Sequence, residues 1–141
     1  MRCWFVRSPL LRRSQYSIFS PTGAPLGIAT VPDAPSVAVV LIPIVLNGRY
    51  RYGIALANDN DTAQIVVILF DSGPTSLVKT IQLDPRSHYV AFVDDIFKVP
   101  TAGLGTLRIG AVDAGGPGNF HIAALLFDQG TFTNVVPAVI R

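Results

Sequence analysis

Residues able to hold a metal ion or move a proton are few and scattered in this 141-residue chain. The densest group is Asn58-Asp59-Asn60-Asp61, whose hard oxygens suit calcium, with Asn58, Asp59 and Asp61 as candidate ligands. The stretch lacks the glycine and distal bidentate glutamate of an EF-hand loop, and Asx side chains close turns on their own backbone. A turn is therefore the leading reading and calcium the alternative; no other cofactor is expected. Asp94-Asp95, with Asp84, offer carboxylates, but acid–base work needs convergent groups whose pKa values are driven apart. Acids at the start of a helical turn explain the pair as well.

Two histidines follow Ser87 and Phe120, as His88 and His121, yet no G-x-S-x-G elbow exists, and Ser72-Gly73 reads as a turn with no helix after it. Gly103-Leu-Gly105 and Gly115-Gly-Pro-Gly118 are rich enough in glycine to cradle phosphate. Neither precedes a helix and Pro117 removes a donor, so both read as hairpin loops. A single cysteine, Cys3, excludes an internal disulfide, and with two distant histidines it excludes the common zinc spacings. Nothing identifies a reaction, and the expectation is a protein with no catalytic residues. Tyr50, Tyr52 and Tyr89, with Phe92, form the one binding candidate of another kind, a sugar-stacking platform; cross-strand aromatic pairs serve sheet stability equally well.

The elements that must position these residues are strands. The sequence contains no glutamate, two lysines and one methionine, against abundant Val, Ile, Thr, Gly and Pro, which is a strand-and-turn vocabulary. At this length a domain buries about two-thirds of its unfolded surface and needs no disulfide or metal for a core. The net charge of +2 comes from Arg2, Arg7, Arg12 and Arg13, ahead of the first acid, Asp33. Later basic and acidic residues nearly balance, with no basic stripe interleaved with aromatics, so nucleic-acid binding is not expected. The apolar run Cys3–Val6 is too short for a secretory core, and no span approaches the roughly 18 apolar residues of a transmembrane helix.

Arg51–Asn58 and Ile65–Asp71 read as two strands of one hairpin around the polar Asn58–Ala63 turn. Val37–Leu46 is the longest apolar run, and Pro43 inside it points to an edge, a bulge or a bend between sheets. Asn47-Gly48 reads as a hairpin turn. Further strands are expected over 77–83, 87–93, 105–112, 120–127 and 131–140, with shorter ones near 15–19 and 26–31. About eight to ten short strands with turn signals every 8–12 residues describe a β-sandwich, Ig-like or jelly-roll-like, with at most one helical turn near Asp94–Phe97. The expected organisation is a basic, extended segment over 1–15 and a single sandwich domain over 16–141.

The succession Tyr52-Gly-Ile-Ala-Leu-Ala-Asn58, Asp71-Ser-Gly73, Ile81–Pro85, Ala91-Phe-Val-Asp-Asp-Ile-Phe97 and Phe132–Ala138 resembles a β-sandwich domain of uncharacterised secreted and surface proteins of environmental bacteria. The resemblance covers roughly residues 16 to 140; Asp59 stands where the pattern has proline and Asp95 where it has glutamate. It implies an extracellular or cell-surface module with no catalytic residues to carry over. Together with the long, poorly charged strands, it leads us to expect a structural or adhesive module that self-associates into a homo-oligomer or filament. Strand addition by residues near 1–20 or 131–141 is the expected route. The competing expectation is a monomeric carbohydrate-binding module for polysaccharide.

Overall fold

The computed structural model describes residues 2–7, 13–19, 22–32, 36–113 and 116–140, with side chains at 22–24, 36–112 and 118–140. The side chains of Cys3 and of Arg2, Arg7 and Arg13, and all of Arg12, lie outside that set. The chain divides into two units, Met1–Pro35 and Ser36–Arg141. The first holds three strands, β1 (Arg2–Arg7), β2 (Arg13–Phe19) and β3 (Pro25–Pro32), in an antiparallel meander with one irregularity between Ile18 and Phe19. The boundary expected at 15/16 therefore moves to 35/36. Residues 13–19 and 25–32 find their ladder partners in the meander, which places them with the first unit.

The second unit carries β4 (Val39–Leu46), β5 (Tyr50–Ala57), β6 (Gln64–Ser72), β7 (Thr75–Leu83) and β8 (His88–Phe92). After them come a single helical turn, α1 (Val93–Ile96), and β9 (Gly103–Asp113), β10 (Gly116–Pro117), β11 (His121–Asp128), β12 (Thr131–Val135) and β13 (Ala138–Ile140). Two antiparallel sheets pack together as a β-sandwich. One has the order β13-β4-β9-β6-β7, with β10 beside β9; the other runs β12-β11-β5-β8. Even-numbered residues of β4, β5 and β6 face inward. Val40, Ile42 and Ile44 meet Tyr52, Ile54, Leu56, Val66, Ile68 and Phe70 in one core, completed by Leu107, Ile109 and Phe120. The period-2 alternation of a strand is what delivers each of these side chains to the same face.

Three expected connections turn out differently. Arg51–Asn58 and Ile65–Asp71 are not a hairpin: β5 pairs with β8 and β11, and β6 with β7 and β9, so the Asn58–Ala63 turn crosses between sheets. Asn47-Gly48 likewise joins strands of different sheets. Asn47 Oδ1 accepts from the Arg49 and Tyr50 N–H groups at 3.0 and 2.9 Å, and Gly48 takes φ 68°. Each strand carries a complete inward row of its own, and two such rows bury more by facing each other across a core than by lying side by side. Thirdly, the expected strand over 131–140 divides: β12 pairs with β11 and β13 with β4. Pro137, which cannot donate to a ladder, lies between them.

Hairpins within one sheet of the second unit include β6–β7, turning at Gly73-Pro74, β11–β12, turning at Gln129-Gly130, and the short β9–β10 pair. Both central residues of the second have positive φ, 44° and 93°, the signature of a type I′ turn. β4 lies between β13 and β9 rather than at the edge, but β13 pairs with it only from Val39 to Leu41, so among the described residues no strand pairs with Pro43 on that side. Gly103–Gly105 begins β9 rather than forming a loop.

Candidate interaction faces

The Asn58–Asp61 group is a structural knot whose side chains diverge. Asn58 is completely buried, and its Nδ2 donates to the carbonyl oxygens of Thr62 at 2.8 Å and of Leu83 and Asp84 at 3.1 Å. Its Oδ1 accepts from the Asn60 N–H at 3.0 Å, and its own N–H donates to Ser87 O at 2.9 Å. The amide thus ties the β5–β6 crossing to the β7–β8 turn. Asp59 turns toward His121, with 3.4 Å between Oδ2 and Nε2, while Asp61 pairs with Arg86 at 2.9 Å. The three candidate calcium ligands do not converge, and no group of three or more His, Cys, Asp or Glu among the described residues could hold a metal ion.

The three tyrosines make no external platform. Tyr52 is buried, its hydroxyl accepting from the Val45 N–H at 2.9 Å across the core. Tyr50 shares its inward parity, and Tyr89 stands opposite the buried Leu56; both pack against the core. Tyr50 and Tyr89 are also six ladder positions apart, about 20 Å along the sheet. Burial raises the Tyr89 pKa, with Asp95 adding to it.

Asp94 and Asp95 sit in α1 as expected and are held by Arg51, at 2.8 and 3.2 Å. The same guanidinium lies 3.9 Å over the Phe92 ring. Asp84 is elsewhere, in the β7–β8 turn, accepting from Gln82 Nε2. The serine hydroxyls serve backbone: Ser87 Oγ donates to Asp84 O and Ser72 Oγ to Leu104 O. His88 and His121 flank Ala57 in one row across β8, β5 and β11, a proximity with no signal in the sequence.

What remains is surface. Outward positions of an antiparallel sandwich are ordinarily polar, but here both outer faces are rich in carbon. On the four-stranded sheet Phe92, Phe127 and Phe132 run across the strands, with ring centroids 5.1 and 6.0 Å apart. Gly53 lies beneath them, where an added Cβ would approach Phe127 to 3.1 Å. These rings cover one another and the glycine. The other face is open: Val45 (41% exposed), Ile65 (40%), Val78 (63%) and Val112 (50%) all point away from the core on the β13-β4-β9-β6-β7 sheet. Its central row runs Ala138, Leu41, Arg108, Leu69, Val78. Among its charged side chains, Arg108 and Asp71 are both exposed and form no hydrogen bond or ion pair among the described residues. The sequence signal for this face was present in β4 and β6, whose outward residues Val39, Leu41, Ile65, Val67 and Leu69 are as apolar as the inward ones.

Among the described residues no helix is long and apolar enough to cross a membrane. No protein-family model and no curated protein matches the chain. Among solved structures, the crystal structure of Thermotoga maritima 1070 is similar in fold, with a TM-score of 0.51 over 73% of this chain and 91% of that one, at 11% identity.

Proposed function

We propose that this chain is a non-catalytic structural module that works by self-association, and that it does so through a sheet face rather than by exchanging strands. The observation that carries this reading is the aliphatic outer face of the β13-β4-β9-β6-β7 sheet. Contiguous exposed apolar surface of this kind marks association sites in folded proteins. Strand addition by the C-terminal residues has less to offer, because 131–135 and 138–140 already pair within the chain. The long edge strand β7 also carries an inward-facing charge, Lys79 opposite Ile68, a device that discourages edge pairing. The resemblance to secreted bacterial modules supports an extracellular or cell-surface setting for the assembly.

The test is sedimentation and light scattering of the full chain across the micromolar range, beside a Val112→Asp variant. Concentration-dependent assembly that the variant weakens is the expected result. A chain that stays monomeric throughout contradicts the proposal.

A further inference from the structure

Building on the self-association reading, we infer that the partner of the open face is a second copy of this chain. The two faces stack about a two-fold axis that brings Arg108 of each copy onto Asp71 of the other. Register supplies the first argument. Arg108 opposes Leu69, and Asp71 lies two residues further along β6, so the two charges occupy neighbouring strands on a diagonal of the same face. Arg108 has aliphatic neighbours in its row on both sides, Leu41 and Leu69. Arg108 and Asp71 form no ion pair with each other, so an apolar partner would leave the cation desolvated and unpaired. An occupant that brings a carboxylate to Arg108 and a cation to Asp71 avoids that desolvation.

A second copy meets both conditions at once. A two-fold axis in the plane of the interface, perpendicular to the Arg108–Asp71 diagonal and midway along it, superposes each arginine on the other copy's aspartate. That is the reciprocal pattern of an isologous contact. Stacked sheets lie about 10 Å apart, a gap bridged by one long side chain and one short one. Area supplies the second argument. Five strands at about 4.8 Å spacing, with about eight residues at 3.4 Å each, present roughly 600 Å² per copy. Two such faces bury about 1,200 Å², the size at which specific interfaces begin.

The experiment is charge exchange in the full chain, read as the dimer dissociation constant by analytical ultracentrifugation, with far-UV circular dichroism for each variant. Arg108→Asp and Asp71→Arg each place like charges together and are expected to weaken the dimer at least about tenfold. The double variant, Arg108→Asp with Asp71→Arg, restores the pairing and recovers affinity to within about threefold of wild type. A second double variant, Arg108→Leu with Asp71→Leu, should dimerise as tightly as wild type or more so, since apolar replacement of a buried ion pair is tolerated. A chain that assembles with no response to the single reversals, or with no recovery in the exchange variant, overturns the two-fold pairing while leaving self-association intact. A chain monomeric at every concentration overturns both.

Discussion

Asn58 gives the sharpest test of how the two sheets are joined. Its buried amide donates to three carbonyls, one of them fully enclosed and two partly so. Asn58→Ala strands the Leu83 carbonyl at a cost of about 1–3 kcal/mol and the other two at about 0.5–1 kcal/mol each, or about 3 kcal/mol together. In a domain of this size that lowers Tm by roughly 10 °C. Asn58→Asp keeps the volume and the acceptor for the Asn60 N–H but turns the donor into a carboxylate facing three carbonyl oxygens. Burial without a cation drives that carboxyl's folded pKa above its unfolded value. The stability of this variant is then fullest at low pH and is lost as pH rises through the folded pKa. Thermal melts from about pH 4 to about pH 8 should show a gap to wild type that widens with pH for Asn58→Asp and stays level for Asn58→Ala. A calcium ligand would behave oppositely, because the added charge would strengthen the site. An Asn58→Asp protein melting within about 2 °C of wild type at neutral pH, or raised to that level by millimolar calcium, would refute the structural reading.

Glycine substitutions separate close approach from mere strand content. An alanine Cβ at Gly105 would stand 2.8 Å from Phe70 Cε2 and 3.1 Å from Asp71 O, and at Gly118 it would run into Gln64 Oε1, so each should cost about 1–3 kcal/mol in denaturant titrations. Gly110→Ala, whose nearest neighbours are 3.6 and 3.8 Å away, should stay within about 0.5 kcal/mol of wild type; equal costs at all three sites would contradict the packing argument. In the β11–β12 turn, Gln129→Asn suits the left-handed backbone at φ 44° and should raise stability by about 0.5–1 kcal/mol, checked by the chemical denaturation midpoint. Because burial and then Asp95 hold the Tyr89 pKa up, its stabilising contribution is complete below the unfolded tyrosine pKa and is lost as pH rises through the folded one. Melts on the alkaline side should therefore fall less steeply with pH for Tyr89→Phe than for wild type, and identical slopes would count against that account.

How much could be read from the chain depends on which interaction decided each feature. Strand identity was legible because β-branched residues and turn residues act locally, and so was the helical turn after Phe92. Pairing was not, since Tyr50–Ala57 finds its partners at 88–92 and 121–128 rather than at its sequence neighbours. A polar loop of six residues looks the same whether it turns within a sheet or crosses between two. What distinguishes the cases is the fate of the amide at Asn58, whose acceptors Leu83 and Asp84 lie about twenty-five residues away. The same distance effect misled the reading of the tyrosines. Period-2 alternation puts Tyr50 and Tyr52 on one side of β5 and Arg51 on the other, but a single strand cannot say which side is the core.

The apolar outer face shows how a continuous run should be interpreted in such a fold. Ile65–Phe70 admits a strand covered on both faces, and its position between β9 and β7 shows that only one of those covers comes from the core of its own sandwich. In a sandwich the second cover cannot be another layer of the same core, so outward Val67 and Leu69 must either meet water or meet another surface. Leaving them wet has no folding advantage over threonine at the same places, which packs a strand equally well and dissolves better. Arg108 sharpens the point, because one charge with no partner among the described residues does little for solubility yet would forbid a purely apolar neighbour. An apolar field with one cation and one diagonal anion is the pattern of a surface specified for a particular mate. Reversing either charge should therefore cost association far more than it costs folding, and a melting temperature that fell together with the dimer affinity would instead assign Arg108 and Asp71 to the stability of the single chain.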